Sequence, residues 1–81
     1  MRHSLFEIMG EDVARARSSL GREELEFGEK ITWGFCLRVR KQSMSWSLRV
    51  RLGPKYGTWR IGDALVMDVD TARQNAREAL L

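Results

Sequence analysis

The chain has 81 residues, 43% of them apolar and 31% charged, with a formal net charge of +3. That length makes one small domain, spanning 1–81, with a thin core. Excluded are a membrane span, since no apolar run approaches roughly 18 residues, a secretory signal, and a disulfide scaffold or structural zinc site, since there is one cysteine and one histidine.

The N-terminal stretch is ambiguous. Ser4 with Glu7 resembles a capping box, but Gly10 interrupts the pattern, and residues 1–10 are candidates for poor order. Residues 11–20 read as a helix with Val13, Ala16 and Leu20 inward and Gly21 as its stop. Leu25 and Phe27 alternate with Glu24 and Glu26, which suggests a short edge strand. From Phe35 to Arg40, Phe35, Leu37 and Val39 oppose Cys36, Arg38 and Arg40. From Trp46 to Leu52, Trp46, Leu48, Val50 and Leu52 oppose Ser47, Arg49 and Arg51. Thr58 to Ile61 gives a third short strand, with Trp59 and Ile61 inward. A period of two marks half-buried strands. The short polar loop Lys41–Ser45 and the Gly53–Gly57 turn imply antiparallel neighbours.

Residues 68–81 read as a second helix. Asp68 suits its positive end, and Val69, Ala72, Ala76, Ala79 and Leu80 form an apolar stripe. The fold class expected is α+β: a three-stranded antiparallel sheet over 34–62, with the C-terminal helix and the 11–20 helix packed on one face. The C-terminal helix is expected to cover Leu37, Val39, Leu48, Val50, Trp59 and Ile61.

Charge is segregated along the chain. Residues 1–29 carry a net −3 and residues 61–81 a net −2, whereas residues 30–60 hold eight cations and no acid. The outward face of the three strands would display Arg38, Arg40, Arg49, Arg51 and Arg60 with Cys36, Ser47 and Thr58 between them, and no carboxylate. Like charges across strands are destabilising. An all-arginine face therefore needs a reason, and arginine forks to phosphates and to guanine edges. A solvated face is the plain alternative. The residues expected to touch nucleic acid are Arg38, Arg40, Lys41, Ser47, Arg49, Arg51, Lys55, Thr58 and Arg60.

Other conspicuous residues have plainer readings. Trp46 and Trp59 fall on the inward side and suit the core, while Trp33 is open to core packing or base stacking. Cys36 reads as a small spacer rather than an activated thiolate. His3 reads as part of a frayed terminus. Tyr56 is either a loop plug or a backbone contact. No catalytic constellation survives inspection, because the acids lie at the two ends and His3 has no partner. Gly53 and Gly57 flank a turn and do not open a helix. No enzyme activity, cofactor or metal is expected.

Gly34-Phe-Cys-Leu-Arg-Val39 resembles the opening of the N-terminal arm-type DNA-binding domain of phage and prophage integrases, the tyrosine recombinases. Trp46-Ser-Leu-Arg-Val-Arg-Leu-Gly53 resembles that family's second strand. Ile61-Gly62 is similar to its strand end, and Met67-Asp-Val-Asp-Thr-Ala-Arg73 to its helix start. The resemblance covers roughly residues 11–81 and is strongest over 33–81. Cys36 replaces a common Gly, Met44 a Lys that would meet phosphate, and Ala64-Leu65 a Tyr-Pro that sets the loop path. The resemblance implies a sheet in the major groove of arm-type attachment sites on double-stranded DNA. It also implies a prophage gene, the bacterial cytoplasm, no membrane, and oligomerisation through other domains. Catalysis would belong to a separate C-terminal domain outside these residues, after a linker expected where the chain stops. The chain is then an excised domain or a free-standing relative.

Two other readings stand beside it. A double-stranded RNA-binding domain shares the order of helix, three strands and helix, but Asp68 and Asp70 stand where its lysines would meet phosphates. A small phage protein that binds a host protein would need an exposed apolar patch.

Overall fold

The computed structural model describes residues 2–80, and of Arg2 and Leu80 the backbone alone. In chain order the elements are β1 (Arg2–Leu5), α1 (Gly10–Arg17), β2 (Leu25–Glu29), β3 (Phe35–Val39), β4 (Met44–Leu52), β5 (Lys55–Asp63) and α2 (Val69–Leu80). The five strands form one sheet in the order β1-β2-β3-β4-β5. β1 pairs with β2 in parallel, and every other pair is antiparallel. The fold is α+β.

The sheet corrects the expected three-stranded antiparallel one. The three strands expected over 34–62 are β3, β4 and β5, but β2 and β1 extend the sheet and make it mixed. The stretch expected at an edge is interior, because β1 covers its free side. Ser4 does not cap a helix: it pairs with Gly28 in the parallel ladder. Helix α1 begins later, where the Asp12 carboxylate accepts a hydrogen bond from the Met9 N–H at 2.8 Å. Residues 18–22 continue beyond α1 as turns, with Gly21 at φ +84°.

One side of the sheet is the core. Phe35, Leu37, Val39, Met44, Trp46 and Leu48 are buried there with Ile8, Ala16, Ala64, Ala72 and Ala76. Phe35 and Trp46 stack at 5.2 Å, and the Trp46 indole N–H donates to the Met67 carbonyl at 2.8 Å. That hydrogen bond is what permits a fully buried Trp. Met44, which replaces a basic residue in the resemblance, fills this core. Its carbonyl accepts from the Ala64 N–H at 2.9 Å, which fixes the path of the β5–α2 loop.

Helix α2 lies on β4 and β5 through Ala72 and Ala76, both wholly buried. The Asp68 carboxylate accepts from the Thr71 N–H at 2.9 Å. The Thr71 side chain and this N–H together hold it below the usual carboxylate range. Ala79 is exposed rather than part of the buried stripe. The Leu80 side chain and Leu81, also assigned to this helix, lie outside the described residues. Of the residues α2 was expected to cover, Val50 and Ile61 are half-buried and packed against the core, but Trp59 is 58% exposed. β4 and β5 are nine residues each, about 30 Å at the usual rise, so their far half outruns the helix.

A clasp ties the two ends of the fold together. Glu29 is an inward residue of β2, and its carboxylate is bridged twice by Arg73 of α2, each time at 2.9 Å. The Ile8 N–H also donates to Glu29, at 2.9 Å, while Arg73 donates to the Ile8 carbonyl at 2.6 Å. Burial pushes the Glu29 carboxyl up, but the Arg73 and Ile8 hydrogen bonds outweigh it and hold the group below its ordinary value.

Among the described residues, no helix is long and apolar enough to cross a membrane.

Candidate nucleic-acid interface

β4 and β5 form a two-stranded ribbon whose far end leaves the helices behind. Leu52 pairs with Lys55, so Gly53-Pro54 is a two-residue turn with Gly53 at φ +65°. A side chain there would be strained, and glycine removes the penalty. The turn is shorter than the expected Gly53–Gly57, so β5 begins earlier. Tyr56 therefore enters the strand opposite Arg51, and Thr58 stands opposite Arg49. The sequence reading left Tyr56 in the loop, as a plug or a backbone contact, and the structure places it in β5. The signal was available, because Tyr56, Thr58 and Arg60 continue the period of two once Gly53-Pro54 is taken as the turn.

The outer face of this ribbon is cationic. The Arg49 and Arg51 guanidiniums lie 5.8 and 6.0 Å from the Tyr56 ring centroid, within cation–π range. Arg51 also donates to the Gly53 carbonyl at 3.1 Å. Arg49, Arg51, Tyr56, Thr58 and Arg60 are all exposed, as is Lys55 beside the turn. Among the described residues, Arg49, Arg51, Lys55 and Arg60 make no ion pair. At the core end, Ser47 pairs with Arg60 but Trp46 with Gly62, so Ile61 is the extra residue of a bulge. A bulge of this kind twists the strand locally.

Two of the five sheet arginines are not free. Arg38 meets the Glu26 carboxylate at 3.3 Å, and Arg40 meets Glu24 at 3.4 Å. The outer face therefore does carry carboxylates, from Glu26 of β2 and from Glu24 just before that strand. Exposed pairs like these are weak, but they lower the net charge of the β2–β3 half. Ser47 is only 2% exposed, with its hydroxyl 3.7 Å from the Cys36 sulfur, so it sits below the reach of a ligand. Lys41 is exposed in the β3–β4 loop, at the opposite end of β4 from Lys55. The structure thus gathers Arg49, Arg51, Lys55, Thr58 and Arg60 on the ribbon and leaves Arg38, Arg40 and Lys41 apart.

The site holds cations, a phenol and a hydroxyl, which suits binding of anions and base edges. Among the described residues, no group of three His, Cys, Asp or Glu is placed to hold a metal ion. In comparisons with family models, with curated proteins and with solved structures, the chain matches none.

Proposed function

We propose that the protein binds double-stranded DNA through the outer face of the β4–β5 ribbon. The observation that carries the reading is the cluster of Arg49 and Arg51 flanking Tyr56, with no ion pair among the described residues, with Arg60 on the same face and Lys55 beside the turn. The major groove admits a two-stranded β-ribbon. Residues at the middle of such a ribbon meet base edges, and those at its rim meet the backbone. Arg49 and Arg51 are then the base readers, while Lys55 and Arg60 are phosphate contacts. Lys41 adds a phosphate contact at the other end of β4.

The resemblance in residues 33–81 supports a narrower form. In it, the chain is the arm-site-binding module of a phage or prophage integrase and works in site-specific recombination in a bacterial cytoplasm. No enzyme activity is assigned to these residues. Duplex RNA is less well suited, because its major groove is too deep and narrow for side chains to read. The Asp68 and Asp70 carboxylates also stand at the start of α2.

The test is a fluorescence-anisotropy titration against duplex DNA, duplex RNA and single strands of matched length. The expected order of affinity places duplex DNA first. Equal affinity for all three, or affinity that does not respond to Arg49→Ala and Arg51→Ala, overturns the reading.

A further inference from the structure

Small residues cross the outer face from strand to strand: Ser4 pairs with Gly28, Gly28 with Cys36, and Cys36 with Ser47. At one end of this low line lies a hollow of about 140 Å³, bordered by Ser4, Gly28, Cys36, Lys30, Trp33 and Arg49. Trp33 is 65% exposed, so an indole is left in water beside two cations. A Cβ placed on Gly28 would meet nothing within 4 Å, which leaves the space above β2 open. Glu29 also borders the hollow, but its carboxylate is committed to Arg73.

The hollow is held in shape. The Arg49 N–H donates to the Gly34 carbonyl at 2.7 Å. The residue next to Trp33 is thereby fastened to the residue that carries the Arg49 side chain. The backbones that carry the aromatic platform and the cation keep a fixed relation, and Arg49 is shared between this hollow and the ribbon.

We propose that the hollow receives one unstacked nucleobase, laid on the Trp33 ring, with Lys30 on the adjoining phosphate and Arg49 at the border with the ribbon. The inference rests on the reading of this face as a DNA-binding surface, and it adds a preference for DNA that offers an unpaired base beside a duplex. An exposed aromatic ring stacks any base, because every base has a π-face, and a cationic rim tracks the backbone. Core packing does not explain an indole this exposed.

The test compares a labelled duplex with the same duplex carrying one extra, unpaired adenine, using the full chain and fluorescence anisotropy. The bulged duplex is expected to bind about tenfold tighter, the order that one base–aromatic stack supplies. Gly28→Leu, which plugs the hollow, and Trp33→Ala, which removes the platform, should each erase that preference. Both should leave affinity for the intact duplex unchanged, and Trp33→Phe should keep most of the preference. Equal binding of the two duplexes by the parent chain overturns the inference and leaves the duplex reading standing. So does a preference that survives Gly28→Leu and Trp33→Ala. Binding of the bulged duplex with none of the intact one overturns the duplex reading instead.

Discussion

Arg49 stands where three features meet. Its backbone fastens the β2–β3 loop, its guanidinium flanks Tyr56, and its charge faces outward from the centre of the ribbon. Arg49→Ala or Arg51→Ala is expected to cost about 1–3 kcal/mol on a cognate duplex and to relax base preference. Arg49→Lys separates the two ways a cation can act, since lysine keeps the charge but loses the planar fork. Titration on cognate and random duplexes should show that the lysine variant retains general affinity and loses discrimination. Undiminished discrimination would reduce the ribbon to a sequence-blind phosphate clamp. Glu26→Gln acts in the other direction: it frees Arg38 from its partner at 3.3 Å and should tighten binding to all duplexes alike. The alternation around Arg49 and Arg51 was legible from the sequence, because a period of two needs no tertiary information. The pairing of Arg38 with Glu26 was not, since periodicity does not say which strand lies next to β3.

At the scale of elements, the ribbon and its turn are the parts that local chemistry specifies most fully. The strands β1 and β2 are those it specifies least. β1 has only four residues, too few for alternation to stand out, and each of its partners is 24 residues away along the chain. β2 contains Gly28 and ends on the inward Glu29, so its pattern breaks where a core strand would continue. Trp59 shows the opposite failure. Its inward parity was legible, but its exposure depends on how far α2 reaches, which the strand pattern does not contain. The loop that joins β2 to β3 gives a sharp test of element geometry. Gly34 has φ +90°, and a Cβ there would lie 2.5 Å from the Arg49 carbonyl oxygen. Gly34→Ala is therefore expected to destabilise the fold by more than about 1 kcal/mol. It should also weaken DNA binding by displacing Arg49. Urea unfolding and anisotropy on the same sample would check both effects.

For the whole molecule, two conditions report on the charges. If about four cations meet phosphates, the slope of log affinity against log salt should be near −4, and Lys55→Ala should make it shallower by about one. A flat salt response would remove the electrostatic basis of the reading. Stability should respond to acid through Glu29, whose carboxyl is held below its ordinary value although burial opposes this. A depressed carboxylate stabilises the fold fully above about pH 5 and loses that contribution as the pH falls below about 4. Urea midpoints measured across that range should fall on the acid side, and Glu29→Gln should flatten the fall. At neutral pH the same variant should be less stable by about 3–5 kcal/mol, because it leaves Arg73 buried without its counter-charge. The clasp has a kinetic consequence as well. It joins Ile8, Glu29 and Arg73, two of which are 65 positions apart, whereas β3 pairs with β4 and β4 with β5, each the next strand along the chain. Contacts between near neighbours form with little loss of chain entropy, and distant ones wait until the rest is in place. The clasp would then close after the rate-limiting step of folding. Stopped-flow measurements on Arg73→Met should show a folding rate close to that of the parent and a much faster unfolding rate, so that these three residues act as the latch that sets how long the folded state lasts.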